Sequence, residues 1–396
     1  MRAALAPADR EDFSLVLGGP LYQLFRRAHL SGNALQLLTR RVLVLVGIAW
    51  LPLLALSALD GHAWDGDVQV PFLLDIDAHV RLLVALPLIL VAELVVYLRM
   101  RPVVHEFRER GLIPDDARGE FDAAIDSSLR LRNSITAEIA LLALVYGLGV
   151  FVLWRKHGAL GVSTWYGTHG DDGALIPTRA GWWLGCVSLP IVQFLLIRWY
   201  WRMFVWGRLL WKLSRIDLRL TSTHPDGVGG LGFLEQVSHA FAPLLVAQGA
   251  LLAGLMADRI VFMHAVLTDF KVEVVAVAAV MVAVVVGPLL VFGPQLQRVK
   301  RAGLREYGAL AQRYAREFDE KWLRGAPTES PLGSADIQSL ADLGNAFTLI
   351  ERMKSTPFSL RTVLRLVIIT LVPVAPLTLT MIPLDELVRS LLKLVF

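Results

Sequence analysis

GWWLGCVSLPIVQFLLIRWYW, residues 181–201, decides the fold class. An apolar run is bracketed by Trp182 and Trp183 at one end and by Trp199, Tyr200 and Trp201 at the other. Sixteen residues lead from Trp183 to Trp199. At 1.5 Å per helical residue that is about 24 Å, close to the hydrocarbon thickness of a bilayer. Trp and Tyr, with an apolar body and a polar tip, gather at the two membrane–water boundaries. The stretch therefore reads as a membrane-crossing helix. Its pattern continues through Trp206 and Trp211 beyond the boundary.

Six further runs are long and apolar enough for the same reading: Val42–Leu59, Leu82–Leu98, Thr136–Trp154, Ala240–Phe262, Val272–Phe292 and Leu366–Ile382. In lipid the backbone must satisfy its own hydrogen bonds, and the alternating ten-residue segments of a barrel are absent, so the spans are helices. The expectation is an all-α polytopic bundle of about seven transmembrane helices with a small helical cytoplasmic domain. Composition agrees: of 396 residues 55% are apolar and 19% charged, with a mean hydropathy of +0.55. That excludes a string of soluble domains and excludes disorder. The one cysteine, Cys186, cannot form an intrachain disulfide.

Basic residues set the expected orientation. With the N-terminus inside, segments 1–41, 99–135, 198–239 and 295–365 carry 31 of the 39 Lys and Arg. Inverting the chain would reverse a nearly fourfold bias, so a cytoplasmic N-terminus and a periplasmic C-terminus are expected. The chain divides accordingly: residues 1–41 form a cytoplasmic amphipathic segment, and 42–294 a six-span core with cytoplasmic loops 99–135 and 213–239. Residues 295–365 are a cytoplasmic helical region, and 366–396 a last span with an amphipathic C-terminal helix. The opening residues carry Asp9, Arg10, Glu11 and Asp12 instead of a short basic region before an apolar one, so the first span is expected to be an uncleaved signal-anchor. Leu15–Leu38 reads as a helix lying along the inner surface. Leu304, Tyr307, Leu310, Tyr314, Phe318 and Trp322 mark an amphipathic helix continuing the sixth span, and Ile337, Leu340, Phe347 and Ile350 mark a second. Gly325–Gly333 is the linker between them. Their apolar faces are expected to pack on extensions of the second and fourth spans, or on another subunit.

Few residues suggest chemistry. Glu93 stands out as an acid within a span, about 16 Å from Leu82 in the inner half. A carboxylate there needs a cationic partner, a water path or a proton. Glu138, Gln193 and Gln248 add polarity to neighbouring spans. Arg198 and Arg202 are the nearest candidate partners, although two arginines beside a Trp belt also read as snorkelling to the interface. Glu93 is thus either half of a structural ion pair or part of a permeation path.

The loop His224-Pro-Asp226-Gly227-Val-Gly229-Gly230-Leu-Gly232 contains G-x-G-x-x-G. It lacks the preceding strand, sheet-packed helix and later acid of a dinucleotide site. A tight turn is the plain reading. A helix terminus holding an anion or lipid phosphate, with Arg215 and Arg219 upstream, is the other. The first outer loop holds Asp60, His62, Asp65, Asp67, Asp75, Asp77 and His79. It reads as a solvated acidic mouth that concentrates cations, with a divalent-metal site as the lesser alternative. No catalytic motif, metal set or cofactor is implied.

Five segments, FSLVLGGPLYQLFRRAHL (13–30), QFLLIRWYWR (193–202), HPDGVGGLGFL (224–234), EYGALAQRYAREFDEKWLRG (306–325) and GSADIQSLADLGNAF (333–347), resemble those of a family of uncharacterised bacterial multi-pass membrane proteins. The resemblance implies a bacterial inner membrane and carries over no activity. The charge pattern and polar spans point to a channel or transporter for ions or small solutes. The rival readings are a sensor or scaffold with a cytoplasmic protein partner, and a lipid-handling membrane enzyme. The lipid bilayer and a second copy of the chain are the expected partners, and nucleic acid is not.

Overall fold

The computed structural model describes residues 13–28, 37–65, 68–150, 163–169, 175–325 and 334–381. Helix α1 spans Pro20–Arg27. Six helices are long and apolar enough to cross a membrane: α2 (Leu38–Leu59), α3 (Ile76–Glu109), α6 (Arg179–Leu213), α7 (Phe233–Met263), α8 (Leu267–Arg324) and α10 (Leu360–Thr380). Three shorter elements complete the set: α4 (Arg118–Arg132), α5 (Ile135–Gly147) and α9 (Ala335–Glu351). The expected third span starts as α5, and its end, 151–154, lies outside the described residues. So do residues 1–12, most of the 325–333 linker, Asp67 and 384–396. Strands β1 (Gly167–His169) and β2 (Leu175–Pro177) form one short antiparallel pair.

Apolar residues are turned outward as well as inward. Leu43 and Leu51 on α2, Ile135 and Ile139 on α5, and Val272 and Val275 on α8 are all exposed. In water such a belt would be a large unsatisfied apolar surface, whereas against lipid tails it costs nothing. The arrangement is that of a membrane-embedded multi-pass protein. Helix α7 is the most enclosed span, and α2 and α10 lie at the periphery.

The helices are joined by contacts that lipid would not provide. Pro52 removes the amide that would bond the Ile48 carbonyl, and Trp183 Nε1 on α6 donates to it at 3.1 Å. Pro190 likewise frees the Cys186 carbonyl, which accepts from Tyr146 Oη at 3.2 Å. Each is the repair that a proline in a membrane helix requires. Gly249 on α7 meets α10 so closely that a Cβ there would lie 1.9 Å from the Thr370 carbonyl oxygen.

Two expectations are revised. The N-terminal segment is not a single surface helix: Phe13, Leu15 and Val16 are buried in the core, and helix begins at Pro20. The apolar faces of α8 and α9 chiefly cover each other instead of packing on the second and fourth spans. Tyr314 Oη donates to the Asp336 carbonyl at 3.0 Å, and Lys321 and Trp322 donate to its carboxylate at 2.7 and 3.0 Å.

Candidate functional site

Glu93 on α3 is buried and lies against three arginines. Arg202 Nη1 is 2.7 Å and Arg198 Nη1 3.2 Å from its Oε1, and Arg41 Nη2 is 2.7 Å from its Oε2. Arg198 Nε also bonds Glu138 Oε1 at 3.1 Å, while Glu138 Oε2 accepts the Leu21 amide at 2.8 Å. All three arginines are at most 4% exposed, so none snorkels to the boundary. Three cations face two carboxylates, and the excess is met by backbone. Arg202 donates to the Val16 carbonyl at 3.3 Å, Arg198 to that of Gly18 at 3.4 Å, and Arg132 to that of Ser14. The alternate carbonyls of an irregular segment thus lie over the cluster. That segment needs glycine at Gly18 and Gly19, whose φ values are +147° and +87° and whose Cβ positions would strike Asn133 and Glu138. Ring faces of Phe25 and Trp199 lie 5.2 and 5.1 Å from Arg41 and Arg202. Glu93 is buried and saturated by cations.

Arg41 was not among the sequence candidates. Arg40 and Arg41 open a span and read as an ordinary inner anchor; successive helical residues point about 100° apart, and only Arg41 turns inward. Gln193 is half-buried on α6, apart from this network. Gln248 Nε2 donates to Tyr200 Oη at 2.5 Å, tying α7 to α6.

At the other end of α3 the acidic loop is not simply solvated. Asp75 caps the helix, accepting the Ala78 amide at 2.6 Å and Trp165 Nε1 at 2.7 Å. Asp258, near the end of α7, accepts the amides of Ile76 and Asp77 at 2.9 and 3.3 Å. Burial, the largest influence, pushes the Asp75 carboxyl above its ordinary value against the bonds from Trp165 and Ala78. Asp77 Oδ2 pairs with Arg81 at 2.5 Å, and its buried Oδ1 has no hydrogen-bond partner among the described residues. These groups line a pocket of about 710 Å³ with Trp165, Tyr166, Leu255 and Phe262. Asp258 was missed from sequence because an Asp-Arg pair near the end of an apolar run reads as a boundary. His79 points inward, accepting from Trp50 Nε1 at 3.0 Å. Among the described residues no three His, Cys, Asp or Glu side chains are placed to hold a metal ion.

The glycine-rich loop closes on its own acid. Asp226 accepts the amides of Val228 (2.8 Å), Gly230 (3.2 Å) and Gly232 (2.9 Å), and His224 Nδ1 lies 2.9 Å from its Oδ1. The amides that an external anion would use are taken. Gly227, Gly229 and Gly230 have φ of +67°, +67° and +100°. A Cβ at Gly229 would sit 3.2 Å from Leu220 Cβ, and one at Gly230 3.1 Å from Leu112 Cδ2. Arg219 pairs with Asp115 at 3.3 Å and Arg215 stacks over Trp211, both away from the loop.

No protein family matches the chain, and no curated protein or solved structure is significantly similar to it.

Proposed function

We propose that the protein is a transport protein of a bacterial inner membrane and that it takes a small organic cation into the pocket bounded by Asp75, Asp77 and Asp258. The observation that carries this reading is the pocket itself. It lies at the end of the spanning helices, in the size range of ligand cavities; its lining brings together three carboxyl groups, aromatic walls and two guanidinium groups, Arg81 paired with Asp77 and Arg259 stacked over Phe270. Among the described residues Asp77 Oδ1 is an acceptor without a donor. A cationic head would supply one, while Trp165 and Tyr166 suit an apolar body and a positive charge alike. The Arg41–Arg198–Arg202 cluster supports the reading from the other side: about 25 Å along α3 from Ile76 it closes the bundle around Glu93. A carrier needs such a barrier opposite an accessible site. Proteoliposomes loaded with unlabelled tetraethylammonium, a cation that crosses bare bilayers poorly, should take up the labelled cation by exchange, and Asp258→Asn should abolish the exchange. Equal exchange by wild type, Asp258→Asn and protein-free vesicles would remove the proposal.

The sensor reading draws on a different observation. The α8–α9 hairpin extends far past the spans, and Leu323, Ile337 and Leu349 on it are exposed. It predicts a soluble protein that co-purifies with the wild type and is lost when Leu323 and Ile337 are changed to Ser.

A further inference from the structure

A second cavity, of about 720 Å³, lies between α6 and α8 and is lined by Met203, Phe204, Gly207, Ala283, Gly287 and Pro288. It is apolar along its length and ends at Arg208 and Trp211. Arg208 is seven residues past Trp201, so it sits about 10 Å beyond the aromatic belt, at the depth of lipid headgroups. Among the described residues no carboxylate neutralises its charge. Arg208 Nη1 and Lys212 Nζ both donate to one neutral acceptor, Ser127 Oγ, each at 2.9 Å. Among the described residues neither lies within ion-pair distance of a carboxylate. Arg130, one turn from Ser127 on α4, adds a third cation to the electrostatics around Lys212. Cations one helical turn apart on a shared hydroxyl repel, and they lack the anion that would hold them together.

We propose that this groove holds one anionic phospholipid, with its phosphate on Arg208 and Lys212 and an acyl chain along the Phe204–Gly287–Pro288 wall. Charge complementarity selects the headgroup class, because a zwitterionic lipid brings its own cation to a site already rich in them. The two glycines select the chain. Gly207 and Gly287 keep the groove open, and a Cβ at Gly287 would meet nothing within 4 Å. A leucine there therefore has room for its Cβ and would project its branch at the groove wall. Contact with Ser127 gives the lipid purchase on α4 as well, so its binding should brace the basic loop against the spans. This site is independent of the pocket at Asp75.

The test is thermal unfolding of the purified full-length protein in detergent micelles doped with phosphatidylglycerol or phosphatidylcholine. Wild type should melt several degrees higher with phosphatidylglycerol than with phosphatidylcholine. The double variant Arg208→Gln/Lys212→Gln should lose that difference, and so should Gly287→Leu, which leaves every cation in place. Arg313→Gln/Arg316→Gln, a pair of exposed cations elsewhere on α8, should keep it. Equal melting in the two lipids for wild type would overturn the proposal. Loss of the difference in the Arg313/Arg316 control would overturn it too, by showing a general attraction of basic surface to anionic micelles. Inorganic phosphate that reproduced the full shift would do the same, because the groove would then play no part. Should the double variant fail to fold, Gly287→Leu alone decides.

Discussion

A single carboxylate surrounded by three guanidinium groups has little freedom to do anything but hold them. Glu93→Gln leaves three buried arginines facing Glu138 alone, raising the uncompensated charge from one to two. Breaking a buried ion pair in this way costs about 3–5 kcal/mol, and the variant should show a strongly lowered melting temperature in detergent. Arg202→Gln added to Glu93→Gln restores the original excess of one, so part of the loss should return. Additive damage in the double variant would mean that Glu93 acts apart from Arg202. Asp226 makes a separate prediction through pH. Burial raises its proton affinity, but the amides of Val228, Gly232 and Gly230 and the His224 ring outweigh this and hold its carboxyl below the ordinary 3.8. A depressed folded-state value means that its stabilisation is complete above pH 4 and is lost as pH falls through the folded value. The stability gap between wild type and Asp226→Asn should therefore be constant from pH 5 to 8 and close below pH 4. Legibility at this scale was uneven. An acid inside an apolar run announces that it needs a partner, so Glu93, Arg198 and Arg202 stood out. Arg41 and Asp258 did not, because each lies within a turn or so of a span's end, where charge is ordinary and only the direction of the side chain matters.

Elements follow from periodicity and composition, but their mutual approach does not. The apolar spans are legible because twenty apolar residues have few other uses. The hairpin of α8 and α9 is legible from its three-and-four spacing, whereas its self-pairing is not, since an amphipathic face does not say what covers it. Buried glycines show the same limit. Gly249 sits in a run where any small residue would look equivalent, yet its Cα faces the Thr370 carbonyl with no room for a methyl group. Gly249→Ala should separate α7 from α10 and cost at least about 2 kcal/mol as an overpacked contact. Gly47→Ala on α2, whose Cβ would meet only Leu51 at 3.8 Å, should be nearly silent. Comparing the two melting temperatures checks the close approach. In the glycine-rich loop, Gly229→Val and Gly230→Val should impair folding more than His224→Ala. A β-branched residue at positive φ is strained whatever its surroundings, and both positions are also crowded.

At the scale of the whole molecule, membrane residence rests on the outward apolar belt and orientation on the charge bias. Orientation is checked by replacing exposed Cys186 with Ser and introducing single cysteines at Asp65 and Glu306. An impermeant thiol reagent added to intact cells should label position 65 and spare 306; the reverse would invert the topology. The acidic mouth was visible as a stretch of aspartates, but its conversion into a pocket needed Asp258 from α7 and Trp165 from a distant loop, contributions that no local pattern encodes. Cation binding in this pocket is measured by titrating the purified protein with tetraethylammonium by calorimetry, beside Asp258→Asn. Asparagine keeps an oxygen for the Ile76 amide and gives up the acceptor of the Asp77 amide, so a modest fall in melting temperature is expected while the fold is retained. Saturable binding by wild type, weakened at least about tenfold, or 1.4 kcal/mol, by Asp258→Asn, is the predicted result. Absence of saturable binding, or equal affinity in the two proteins, would contradict it.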